Sequence, residues 1–266
     1  MNSKKGDYKL YIIFLILSLL IGLLTNIVNL IGALILLLFL AFSIVVNKYN
    51  HIVFKIILAL FAYLLMLHIL PGFNNINLYK NILVSSDAIP YAMTLKFDSL
   101  FVGLSIITVA IPTLVQELKY KIMKSILFGI FYGLLAILII GGIAFNFNFV
   151  KWDIKFNNLI IIFIIQNLFF TCFYEEVFWR GLLQKNIFNN YLNKYLSILI
   201  IAILFATAHL VFANYKFAIL AFFASFIYGL SYNSTNNLLS SITTHYLVNI
   251  TQILLVTYPI LASSLA

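Results

Sequence analysis

Apolar residues along this chain fall into long runs separated by short polar connections, with no period-two alternation. About twenty apolar residues carry a helix across the ~30 Å hydrocarbon layer. The runs therefore predict spans near 10–24, 27–46, 52–70, 99–116, 125–145, 158–184, 196–213, 216–232 and 238–258. The run at 99–116 is short and contains Pro112, so the prediction is eight or nine helices. A lipid-embedded backbone must satisfy its own polar groups, which leaves helices or closed barrels. Unbroken runs of this length argue against barrel strands. The expected fold class is an all-α, polytopic membrane protein, built as a single integral membrane domain with neither an internal repeat nor a long linker.

Composition agrees. The 266 residues are 64% hydrophobic and 9% charged, and mean hydropathy is +1.10. That leaves too little polar surface to cover a soluble globule. The net charge of +9 comes from 16 Lys and Arg scattered along the chain. It reads as the lysine excess of cytoplasmic connections, and not as a nucleic-acid-binding face. Lys4, Lys5, Lys9, Lys48, Lys55, Lys119, Lys121, Lys124, Lys185 and Lys194 fall on one side if every span is real. The N-terminus is then cytoplasmic and Pro71–Lys96 an external, Asn-rich loop. The N-terminal lysines before Leu10–Leu24 resemble a signal peptide, but no small-residue cleavage site follows, so a retained first helix is expected. Cys172 is the only cysteine, which excludes an intrachain disulfide and suits a small buried side chain.

Glu175 and Glu176 alter this picture. They are the only acidic residues after position 154, and they sit inside the apolar stretch Leu159–Leu183. Ionisable groups at membrane depth are costly and face cavities, partners or chemistry. Glu176 and Arg180 are four apart, with Glu on the N-terminal side, so they share a helical face in the favourable order. Glu175 is turned about 100° away. One carboxylate can then be neutralised while the other serves as a base. His209 lies in the next apolar run. Glu175 and His209 are each 17 positions from Leu192, in the polar connection between the two runs. An antiparallel hairpin would set them at similar depth, close enough to share a water. His245 and Asn249, four apart in the last run, can both donate hydrogen bonds towards a developing oxyanion. Each also has a blander reading as a packing or interhelical polar residue. His51 and His68 fit no such pattern and are expected at interfaces or in packing. No helical H-E-x-x-H motif occurs. A Glu–His–His zinc site from Glu175, His209 and His245 uses ligand types zinc accepts, and the residues alone leave metal-bound and carboxylate-activated water both open.

Three motifs now line up. Glu175-Glu176-Val177-Phe178-Trp179-Arg180 resembles E-E-x-x-x-R, Phe205 to His209 resembles F-x-x-x-H, and His245 to Asn249 resembles H-x-x-x-N. In this order, on separate apolar helices, they resemble the CPBP family of CAAX proteases and bacteriocin-processing membrane proteins, also called Abi. The resemblance covers residues 155–258, a catalytic core following N-terminal membrane helices over 1–154. It implies an intramembrane endopeptidase acting on a membrane-associated or lipidated peptide or protein, and the richness in Ile, Asn and Lys suits an AT-rich bacterial genome and hence a bacterial cell membrane. Glu175 with His209 would activate water. His245 and Asn249 would stabilise the oxyanion, and Glu176, Arg180 and Phe205 would support the site. A metal-free glutamic mechanism is the favoured implication and zinc the alternative. A non-catalytic bacteriocin-immunity or scaffold protein is the runner-up. A proton-coupled transporter is third, because inverted repeats and interrupted helices are not seen in the sequence.

Overall fold

The computed structural model describes residues 7–210 and 215–265. Lys4, Lys5 and the end of the predicted span 196–213 lie outside the described residues. Helices α1 (Asp7–Leu24), α2 (Leu30–Tyr49) and α3 (Ile52–Met66) precede an antiparallel hairpin, β1 (Ile76–Ile82) and β2 (Tyr91–Leu95). There follow α4 (Phe97–Ala110), α5 (Thr113–Leu118), α6 (Ile122–Asn146) and α7 (Asn158–Asn190). The chain ends with α8 (Lys194–His209), α9 (Tyr215–Thr235) and α10 (Leu238–Leu255). Among the described residues, α2, α6, α7 and α9 are each long and apolar enough to cross a membrane. The chain is thus an all-α polytopic membrane protein.

Local chemistry explains the boundaries. Asn29, Asn157, Asn193 and Asn237 each cap a helix, accepting backbone N–H bonds at the starts of α2, α7, α8 and α10. Their side-chain oxygens satisfy donors that no helical carbonyl can reach. The predicted run 99–116 breaks at Pro112, whose nitrogen has no hydrogen to donate. The Ile111 N–H instead reaches five residues back to the Ile106 carbonyl at 2.8 Å, and the chain restarts as α5. The expected loop Pro71–Lys96 contains the hairpin. Its strands pair irregularly and seat Met93 in a small core with Ile160, Phe163 and Ile253.

The outer surface is greasy and the inside carries the polar groups. Leu, Ile and Phe side chains stand exposed along α1 and α6, while Glu176, Arg180, Gln184, Ser231, Ser240 and Thr244 are buried. That distribution suits a lipid solvent. Close approach of α6 to α10 fixes the last helix. A methyl group on Gly129 would lie 2.6 Å from Thr243 and 2.8 Å from the Ser240 carbonyl, and one on Gly133 would lie 2.9 Å from Leu247. The Thr244 hydroxyl donates across this contact to the Gly129 carbonyl at 3.1 Å. Small residues four apart allow such backbone contact where the hydrophobic effect does not drive helices together.

Candidate active site

Helix α7 is not a uniform α-helix. Its turns widen to bonds between residues five apart over Leu168–Cys172 and again over Val177–Lys185, on either side of Phe173–Glu176. Such wide turns recur at functional sites. They make residues five apart into neighbours: the Cys172 thiol donates to Asn167 Oδ1 at 3.1 Å, and Asn186 Nδ2 donates to the Gly181 carbonyl at 2.7 Å.

Glu176 is wholly buried and is the centre of a charged knot. Its Oε1 accepts from Arg180 Nη1 at 3.1 Å and from His245 Nδ1 at 2.9 Å. Arg180, also wholly buried, sends Nη2 to the carbonyl and hydroxyl of Ser225, each at 2.8 Å. Its guanidinium lies over the rings of Phe205 and Tyr228. One side chain thus ties α7 to α8 and α9, while Glu176 ties α7 to α10. His245 stacks on Tyr228, with ring centres 4.6 Å apart. Phe205 packs edge-on against Trp179 and lies 4.4 Å from the His209 ring.

The structure parts the two neighbouring glutamates. Glu175 is half-buried and lines a polar cavity of about 260 Å³ with His68, Lys96, Tyr174 and His209. His245 and Asn249 line a larger, mainly apolar cavity of about 460 Å³ between α6, α9 and α10. His209 is on the wall of both. Its Nδ1 lies 2.8 Å from the Phe205 carbonyl. A carbonyl only accepts, so Nδ1 carries the proton, and a neutral His209 has Nε2 available as an acceptor. Asn249 Nδ2 donates to Asn167 Oδ1 at 3.2 Å and lies 3.6 Å from the Cys172 sulfur.

Every motif residue therefore adjoins one of two neighbouring cavities or the knot beside them. Among the described residues, no three His, Cys, Asp or Glu side chains gather as a metal-ligand set. Glu175 and His245 line different cavities, and the Nδ1 of His245 is engaged by Glu176, so a Glu175–His209–His245 zinc shell does not fit this arrangement.

Four participants fell outside the sequence reading. Asn167 anchors Asn249, and its only sequence signal is a polar residue within an apolar run. Tyr228 stacks on His245, and nothing in its local sequence marks it. His68, expected as a packing residue, bonds Asp98 at 2.7 Å. Asp98, just ahead of the predicted run 99–116, is wholly buried.

An apolar-surfaced helical bundle with buried acids, histidines and amides around two adjoining cavities is an integral membrane protein. Residues 157–251 match the family model described as Type II CAAX prenyl endopeptidase Rce1-like. This segment contains all three motifs, and the match bears out the CPBP resemblance for the C-terminal part of the chain. No curated protein and no solved structure matches the chain.

Proposed function

We propose that the protein is a CAAX-type intramembrane endopeptidase that hydrolyses a peptide bond beside a long apolar group of its substrate. The observation that carries this reading is the shared position of His209. It joins a polar cavity holding Glu175 to an apolar cavity holding His245 and Asn249. Substrate chemistry needs both sides. The apolar cavity is of the size that accommodates a small hydrophobic ligand and suits a lipid chain or apolar side chains. The polar cavity suits water and the peptide link.

Glu175 takes a proton from water as the oxygen attacks the carbonyl carbon, and His209 Nε2 accepts a hydrogen bond from the same water. The developing oxyanion is met by donors from α10. The Nδ1–H of His245 goes to Glu176, so its second donor, Nε2–H, exists only in the imidazolium form. The Glu176 carboxylate is the counter-ion for that form, and Arg180 fixes the carboxylate. Asn249 Nδ2 donates to Asn167 Oδ1 and, over 3.6 Å, to the Cys172 sulfur, a weak acceptor that a substrate oxyanion would displace. Oxyanion donors are worth about 10²–10³ in rate each.

Membrane-associated peptides compared by mass spectrometry, between cells carrying wild type and cells carrying Glu175→Gln at equal expression, test the reading. A precursor accumulating only in the variant is expected, because a general base contributes about 10²–10⁴ in rate. Identical peptide profiles would remove Glu175 from the role of base and return the protein to a binding or immunity function.

A further inference from the structure

A second acid–histidine pair presents its histidine to the polar cavity and is contributed by the segments that precede the family-matched one. Asp98 stands in the first turn of α4, wholly buried, with Oδ1 accepting the Ser99 N–H at 3.0 Å. Its Oδ2 lies 2.7 Å from Nδ1 of His68. His68 follows the end of α3 with φ +53°, a left-handed backbone that few residues other than glycine adopt. A buried carboxylate and an unfavourable backbone are both costly, and they persist together where the surroundings hold a side chain in a set orientation. His68 lines the cavity that Glu175 and His209 line. Lys96 lines it too and interacts electrostatically with both Glu175 and Asp98. The hydroxyls of Ser99 and Tyr174, also on its wall, are buried without a hydrogen-bond partner among the described residues.

We infer that His68, oriented by Asp98, is the general acid that protonates the leaving amine. The inference rests on the hydrolase reading above. Asp98 engages Nδ1, so His68 can exchange a proton with the cavity only through Nε2. In the collapse of the tetrahedral intermediate the C–N bond breaks and its electron pair goes to nitrogen. The proton of His68 Nε2 forms the new N–H bond. The proton that Glu175 took from water then passes to His68 within their common cavity and resets both groups. Among the described residues, the titratable groups on this wall besides His68 are Glu175, Lys96, His209 and Tyr174, and Asp98 is buried behind His68. The Asp98 carboxylate, 2.7 Å from Nδ1, is the counter-ion for the imidazolium that this step uses. Asp98 acts through His68 and is a positioning residue.

An ester leaving group departs with far less need of an acid than an amine does, so the two substrates separate chemistry from folding. The probes are an internally quenched peptide carrying S-farnesyl cysteine and its twin with an ester oxygen in place of the scissile nitrogen. Both are offered to the full-length protein in lipid nanodiscs. His68→Gln is expected to slow amide cleavage about 100-fold or more and ester cleavage less than about 10-fold. Asp98→Asn is expected to show the same bias, weaker. The amide-to-ester ratio is independent of how much variant is folded, so partial misfolding does not blur the result. Equal slowing of both substrates, or an unchanged ratio, overturns the role of His68 and leaves the hydrolase reading standing. A wild-type protein that cleaves neither probe overturns both.

Discussion

Removal of the Arg180 side chain, as in Arg180→Met, is expected to be the most damaging single change in the bundle. Arg180 is wholly buried and makes three hydrogen bonds, to Glu176, to the Ser225 carbonyl and to the Ser225 hydroxyl. Its loss leaves the Glu176 carboxylate buried with His245 as its remaining hydrogen-bond donor, and leaves the Ser225 groups without theirs. Breaking one partner of a buried ion pair costs about 3–5 kcal/mol, which is about 10² to 4 × 10³ in the opening equilibrium. Lysine in its place keeps the charge but cannot reach Glu176 and Ser225 at once, because it lacks the guanidinium fork; an intermediate loss is expected. The double variant Glu176→Gln/Arg180→Met removes both charges and should be more stable than Arg180→Met alone. Cys172 supplies the assay. It is the only cysteine and is buried, so its reaction with a thiol reagent in detergent reports opening of α7. A labelling equilibrium for Arg180→Met within about 1 kcal/mol of wild type would refute the reasoning. So would a double variant whose cost equals the sum of the two single changes.

Two further outcomes follow from the glycines of α6. Gly129→Leu must push α10 away from α6, since even a methyl group meets Thr243 at 2.6 Å. A loss of at least about 1–3 kcal/mol, with loss of activity as His245 leaves Glu176, is expected in the same labelling and cleavage assays. Gly142, by contrast, meets nothing within 4 Å and lies on the wall of the apolar cavity. Gly142→Phe should therefore leave stability unchanged and raise KM for farnesylated peptides more than it lowers kcat; an unchanged KM would place the apolar group of the substrate elsewhere.

The membrane class, the helices and the motif residues were legible in the sequence for direct reasons. Apolar runs long enough to cross a bilayer have few alternatives once the backbone must satisfy itself. A carboxylate pair within Leu159–Leu183 is too costly to be incidental. The four-residue spacing of Glu176 and Arg180 places them together through helix geometry alone, and the contact is made at 3.1 Å. The break at Pro112 was signalled as well, because proline removes a donor wherever it falls. The hairpin was not legible: Ile76–Ile82 and Tyr91–Leu95 are short, mix polar with apolar residues and pair irregularly, so no alternation marks them.

What the sequence by itself determined is the set of groups that local periodicity can relate: which residues share a helix face, and which are too polar for their surroundings. The tertiary structure decided which helices meet. It joined Glu176 to His245 across 69 positions, turned Glu175 into a different cavity, and set Asn249 on Asn167. It also set the buried Asp98 on His68, 30 positions away, and put His68 on the wall that Glu175 lines. Nothing in the spacing of these partners encodes their contact. Close helix approach encodes it, allowed by Gly129 and Gly133 and held by Arg180, and burial then makes each polar group costly to leave unpaired.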